Sequence, residues 1–192
     1  MLVLLLTLAA PAAPPLVSRP PVSASDQARL DAGEIVMLPS AADRGGARAL
    51  VEIAASPTRV WQIVADPVHL QASSRSVRSL QVYRDQTDTA GIREQGLAYV
   101  VKVAFSDVHY NVLRRYDLAA GRMTWVLDND RANDIAATTG TFSTWPTDDG
   151  GTLFSYDARV DTGHAMPAWI QDELTEAGLK RFLGYLQRVA PQ

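Results

Sequence analysis

From Val77 to Asp161 apolar residues recur at every second position for about 80 residues, in runs separated by turn residues, which leaves few folds open. Val77 to Asp85 reads as a strand closed by Thr87 to Gly91. Arg93 to Phe105 is a longer strand, with Leu97, Tyr99, Val101, Val103 and Phe105 on one face. Val108 to Tyr116 returns after a tight turn near Ser106-Asp107 and puts Val108, Tyr110, Val112 and Tyr116 together. Arg122 to Asn129, Ile135 to Trp145 and Thr152 to Asp161 follow, divided by Ala120-Gly121, a polar loop, and Asp148 to Gly151. Connections this short cannot carry a parallel crossover, so the series is an antiparallel meander.

The flanking segments change period. Ala47 to Ala55 alternates Ala47, Ala49, Val51 and Ile53 against Arg48, Leu50 and Glu52, as a half-buried strand does. Ser56-Pro57 then supplies a helix cap and a first-turn proline, with Val60, Trp61 and Val64 at helical spacing. Asp66-Pro67 repeats that signal so soon that the first helix must stop and a second, bent away from it, must begin. At the far end, Pro167 to Val189 carries Ile170, Leu174, Ala177, Phe182, Leu186 and Val189 near one stripe. At about 1.5 Å per residue this helix would span roughly 30 Å. A sheet of six or seven antiparallel strands with one long helix must bury the helix on one face, an α+β arrangement. Ahead of it all, Ala28 to Met37 reads as a polar lead-in, with Glu34 to Leu38 a peripheral strand.

The N-terminus is of another kind. Met1 to Ala13 is a leucine-rich run followed by Ala10-Pro11-Ala12 at A-x-A spacing, which resembles a secretory signal although no Lys or Arg precedes it. Residues 1–13 are therefore expected to be a signal peptide, and the mature protein periplasmic or secreted. Residues 14–27, with Pro14, Pro15, Pro20, Pro21 and three serines, read as a tether unsuited to strand or helix. The domain is expected over 28–192. A net charge of −3 with scattered Lys and Arg offers no footprint for a phosphate backbone, so nucleic acid is not an expected partner. The absence of cysteine excludes disulfides, thiolate metal sites and cysteine nucleophiles.

A twisted sheet curls around the helix laid on it, and the space between is filled by large side chains or left as a pocket. Inward positions here mix small residues, Ala136, Thr138, Gly140 and Ala158, with the aromatics Tyr99, Tyr110, Trp125 and Phe142. Such mixing suits a pocket of apolar lining with a few polar groups. It also suits a filled, interdigitated core.

Val51-Glu52-Ile53-Ala54-Ala55-Ser56-Pro57-Thr58-Arg59-Val60-Trp61, then Asp66-Pro67, then Gly150-Gly151-Thr152-Leu153-Phe154-Ser155-Tyr156, then Met166-Pro167-Ala168-Trp169 before the last helix, follow one another in an order that resembles the START-like superfamily. That superfamily is also called SRPBCC or polyketide cyclase/dehydrase-like, and the likeness covers about residues 47 to 190. Ala32-Gly33-Glu34-Ile35-Val36 is similar to a lead-in of exported bacterial members. The resemblance implies a helix-grip fold, in which a curved antiparallel sheet wraps around a long C-terminal helix, with two short helices after the first strand. It implies an internal cavity for a hydrophobic small molecule such as a lipid, quinone or polyketide, with transient membrane contact as one consequence. The motifs are structural and carry no catalytic residue, so carriers and aromatic cyclases or dehydratases both stay open.

Candidate cavity residues are Tyr99, Val101, Tyr110, Trp125, Thr138, Gly140, Phe142, Tyr156, Leu174 and Phe182. Tyr99, Trp125, Asn111, Thr138 and Tyr156 would form its polar set, with a tyrosine able to orient a carbonyl or act as a general acid. No cofactor and no metal are expected. His69, His109 and His164 match no helical metal pair, with His69 and His164 expected to be exposed and His109 on the solvent side of its strand. Asp128 to Asp134 lacks the glycine and glutamate of a calcium loop. Ser73, Ser74 and Ser76 lack a nucleophile-elbow context. The leading reading is a binding module, with a cyclase-type enzyme second and a peptide-binding groove third.

Overall fold

Eight strands make one antiparallel sheet: β1 (Val36–Leu38), β2 (Gly46–Ile53), β3 (Val77–Thr87), β4 (Arg93–Val103), β5 (Ser106–Asp117), β6 (Arg122–Leu127), β7 (Ala137–Pro146) and β8 (Thr152–Asp161). Their spatial order is β1-β2-β8-β7-β6-β5-β4-β3. The computed structural model describes residues 17–40, 45–103, 105–163 and 177–192. β3 to β8 form the expected meander, and β2 closes against its last strand, with Val51 opposite Phe154. The short β1 pairs with β2 and adds an eighth strand to the expected six or seven.

Helices α2 (Pro57–Ala65) and α3 (Pro67–Ala72) start where the two cap-plus-proline signals place them. The Ser56 hydroxyl accepts from the Arg59 amide at 3.4 Å, and Asp66 from the Val68 amide at 2.8 Å. Residue 66 leaves helical geometry with ψ 118°, which separates the two helices. Val60, Trp61, Ile63 and Val64 of α2 are buried against the sheet. Burial of one such side chain contributes about 1.5–3 kcal/mol. The Trp61 indole donates to Thr144 Oγ1 of β7 at 3.0 Å, fixing α2 across the strands.

The C-terminal helix α4 (Gly178–Val189) presents Leu179, Leu183 and Leu186 to the main core, where they meet Ala49, Val51, Met123, Phe142 and Phe154. The stretch from Pro167 to Glu176 and the leader 1–13 lie outside the described residues.

Other expectations about the fold differ from the structure. The long strand β4 stops at Val103, and Ser106 already pairs with it, so Phe105 belongs to a two-residue turn and is 98% exposed instead of lying in a row with Val103. The lead-in contains a helix, α1 (Ala24–Asp31), that begins within the segment read as unsuited to helix. Ser23 explains it: its hydroxyl accepts from the Asp26 amide at 3.1 Å and donates to the Asp26 carboxylate at 2.7 Å. The proline-rich stretch before it is not a free tether throughout, because the Val17 carbonyl accepts from the Trp145 indole at 2.6 Å. Val17 and Val22 pack with Leu30, Val36, Leu50, Trp145 and Leu153 on the outer face of the sheet. Leu50, opposite in phase to Val51, is buried for this reason. The β1–β2–β8 end is thus covered on both faces.

Candidate functional site

Between the concave face of the sheet, α3 and α4 lies a cavity of about 350 Å³. It falls at the lower end of the roughly 300–1,000 Å³ typical of small-molecule sites. The space under the last helix is therefore not fully packed. Its lining combines Leu70 of α3, Val77 of β3, Tyr99, Val101 and Val103 of β4, and Val108, Tyr110, Val112 and Arg114 of β5. Trp125, Thr138, Phe142, Tyr156, Ala158, Val160, Leu179 and Phe182 also belong to the wall, with Ser73, Ser74, Ser76, Lys102 and Arg181 among its polar members.

The alternation of each strand explains who faces inward. Residues 99, 101 and 103, and likewise 108, 110, 112 and 114, share one phase of their strands. Of the candidate residues, the structure brings Tyr99, Val101, Tyr110, Trp125, Thr138, Phe142, Tyr156 and Phe182 to this one cavity. Leu174 and His164 lie outside the described residues. Gly140 does not reach the lining, because the Trp125 indole lies across it and a Cβ there would run into the ring. Gly140 is the seat of a wall residue, not a wall residue itself. Trp125 is also held by its indole N–H, which donates to Thr138 Oγ1 at 3.3 Å. Ala136 is exposed ahead of β7.

Phe142, Phe154, Tyr156 and Phe182 form an aromatic cluster that closes one end. Phe142 and Phe182 stack with centroids 5.4 Å apart, joining β7 to α4. On the opposite wall Tyr99 and Tyr110 stack at 5.0 Å with planes 4° apart. Ring pairs of this kind add about 0.5–1.5 kcal/mol beyond area burial, which favours a fixed wall over a collapsed one.

Asn111 does not belong to the polar set. It has the opposite phase to Tyr110 and faces the outer side, where its Nδ2 donates to the Ala132 carbonyl at 2.9 Å and its Oδ1 accepts from Arg131 Nε at 3.0 Å. The acidic stretch 128–134 closes on itself there: Asn133 Nδ2 donates to the Asp128 carbonyl at 2.8 Å, and Tyr83 donates to the Asp128 carboxylate at 2.7 Å. Arg131 covers the Tyr83 ring at 4.1 Å. These groups are satisfied by one another, and among the described residues no cluster with metal-ligand character occurs. His69 is half-buried, not exposed, with Nδ1 2.7 Å from the Tyr185 hydroxyl, so it ties α3 to α4. His109 is exposed, as its phase implies.

Arg114 escaped the sequence reading. Its guanidinium is buried, its Nη2 donates to the Tyr99 hydroxyl at 2.9 Å, and its Nη1 donates to the Val64 carbonyl at 3.4 Å. The Nε has no hydrogen-bond partner. Burial raises the pKa of Tyr99 and Tyr110 and pushes that of Tyr156 up to about 12, although the Arg114 charge works against the rise in each. At neutral pH these tyrosines are hydroxyl donors and acceptors, not proton sources. The signal that could have found Arg114 is its shared phase with Val112 and Tyr116, which puts a charge on the apolar face.

Residues 46–189 match the family model described as polyketide cyclase / dehydrase and lipid transport. No curated protein sequence matches the chain. Among solved structures, the Zhui aromatase/cyclase from Streptomyces superposes with a TM-score of 0.61 at 15% identity, covering 76% of this chain and 92% of that one. A START superfamily protein from Mycobacterium smegmatis gives 0.60 at 17% identity, covering 74% and 94%. A STAR-related lipid transfer protein from Xanthomonas axonopodis gives 0.59 at 16% identity, covering 82% and 99%. Identities this low speak for the fold alone. The sheet, the paired short helices after β2 and the family match over most of the length agree: this chain belongs to the polyketide cyclase / dehydrase and lipid transport family, within the START-like superfamily.

Proposed function

We propose that the protein binds and carries an apolar small molecule in the cavity between sheet and C-terminal helix. The observation that carries this reading is the cavity itself, of about 350 Å³, with a wall made chiefly of Val, Leu and aromatic side chains. That volume suits one acyl chain or one compact ring system better than a two-tailed lipid. A lipid, quinone or polyketide-like guest of that size is the expected cargo. Exchange at a lipid surface fits the hairpin bearing Val103 and Val108, which line the cavity, because its turn exposes Phe105. The leader-like run at the N-terminus supports a periplasmic or secreted site of action. Native mass spectrometry of protein purified from its host should show a bound small molecule, and a neutral fluorescent lipid probe should be displaced by apolar competitors. Recovery without any guest, together with no probe binding, would remove the reading.

A second reading, a cyclase- or dehydratase-type enzyme, is favoured by Tyr99, Tyr110, Tyr156 and Arg114 lining the same cavity. In it the hydroxyls and the guanidinium polarise a substrate carbonyl by hydrogen bonding, since the raised tyrosine pKa values suit donation better than proton transfer. Turnover of a poly-β-ketone surrogate, lost in Tyr99→Phe and Tyr156→Phe with binding retained, is the result this second reading requires.

A further inference from the structure

Among the described residues Arg114 is a cation without a counter-charge. The ion pairs of the described residues all lie elsewhere, on surface groups such as Arg48–Asp157 and Arg93–Asp85. Its guanidinium bonds the Tyr99 hydroxyl and makes one long contact to a carbonyl, the Tyr116 hydroxyl lies close by, and the buried Nε has no acceptor. A buried charge held only by neutral dipoles is costly, and a buried donor without an acceptor adds to that cost. A charged group of this kind bordering a cavity marks a place where a partner could supply the missing charge. The guanidinium presents a planar fork of donors that matches the two oxygens of a carboxylate.

Its place in the cavity is equally specific. Along β5 the inward positions run Val108, Tyr110, Val112, Arg114, and six residues of strand correspond to about 20 Å. Val108 borders the hairpin end, where Lys102 is a third exposed, whereas Arg114 is 8% exposed and lies under the carbonyl of Val64 in α2. The charge therefore stands far from the hairpin, with apolar wall between.

We infer that the guest is a single-chain or single-ring carboxylic acid, seated with its carboxylate on Arg114 and its apolar body extended along Val112, Val101 and Tyr110 toward the hairpin. This rests on the binding reading above and narrows it to an acidic amphiphile. Tyr99 acts as a positioning residue, holding the guanidinium in place through Nη2.

The test compares dodecanoate with dodecanol, matched in chain length, on the full chain by calorimetry or by displacement of a neutral fluorescent probe. The native protein should prefer the carboxylate by about tenfold or more. In Arg114→Met the ratio of carboxylate to alcohol affinity should fall to about one, and Arg114→Lys should retain part of the preference. The melting temperature of guest-free Arg114→Met should be equal to or above that of the native protein, because an uncompensated charge has left the interior. Equal binding of acid and alcohol by the native protein overturns the carboxylate seat and leaves the carrier reading standing. Failure to bind either one removes both. The native comparison decides the matter even if a variant does not fold.

Discussion

Nη2 of Arg114 donates to the Tyr99 hydroxyl at 2.9 Å across neighbouring strands, while the Tyr99 ring lies flat on Tyr110. One side chain thus joins the charged group of the cavity to its aromatic wall. Removing the hydroxyl in Tyr99→Phe leaves a second guanidinium N–H without an acceptor, at a cost of about 1–3 kcal/mol. Urea denaturation should show that loss, and the double variant with Arg114→Met should recover part of it, since the orphaned donor goes too. Strict additivity of the two changes would mean that the bond contributes nothing.

Gly140 supports Trp125 by having no side chain. Gly140→Ala places a methyl group inside the indole ring, so Trp125 must shift, which disturbs its packing on Phe142, 5.0 Å away between ring centroids, and its bond to Thr138. Overpacking of this kind costs about 1–3 kcal/mol. The near-UV circular dichroism should change along with stability. An unaltered spectrum at native stability would contradict the close approach of Gly140 and Trp125.

Phe105 at the β4–β5 turn is fully available to a lipid surface. Phe105→Asp should leave binding of a soluble guest unchanged and slow its delivery to vesicles containing anionic lipid by about tenfold, the equivalent of one buried aromatic side chain. Stopped-flow transfer of a fluorescent fatty acid measures this. Transfer at the native rate would dismiss the turn as a contact point.

The buried tyrosines set an alkaline limit. Burial raises Tyr99 and Tyr110 and pushes Tyr156 up to about 12, whereas tyrosines of the unfolded chain ionise near about pH 10. The folded state therefore holds these protons more firmly. The resulting stabilisation is present in full below about pH 10 and is lost as pH rises toward the folded-state values. Tyrosinate absorbance should develop in two phases, the later one together with loss of sheet circular dichroism. A single phase with the sheet intact would show that these hydroxyls reach solvent.

Strand positions and the inward phase were readable because a period of two survives any packing that keeps one face dry, as with Tyr99 and Val101. The short helices were readable because Ser56-Pro57 and Asp66-Pro67 act through local geometry. Ser23 and Asp26 carry the same kind of capping signal, but the prolines beside them masked it. Arg114 was missed for a different reason: periodicity marks which residues face inward and does not say which of them a neighbouring tyrosine will hold. Gly140 shows the same boundary, since its phase is inward and only the lie of the Trp125 ring removes it from the wall.

The pairing of β2 with β8 sets a schedule for the chain. Val51 finds Phe154 only after every intervening strand has been made, so the seam that completes the sheet is a late, long-range event. During synthesis the concave face stands open to any apolar surface until that seam forms, and a nascent chain stalled before Thr152 would be a target for chaperones. Guest binding in this cavity should therefore require β8, and no truncated version ending before β8 should show it.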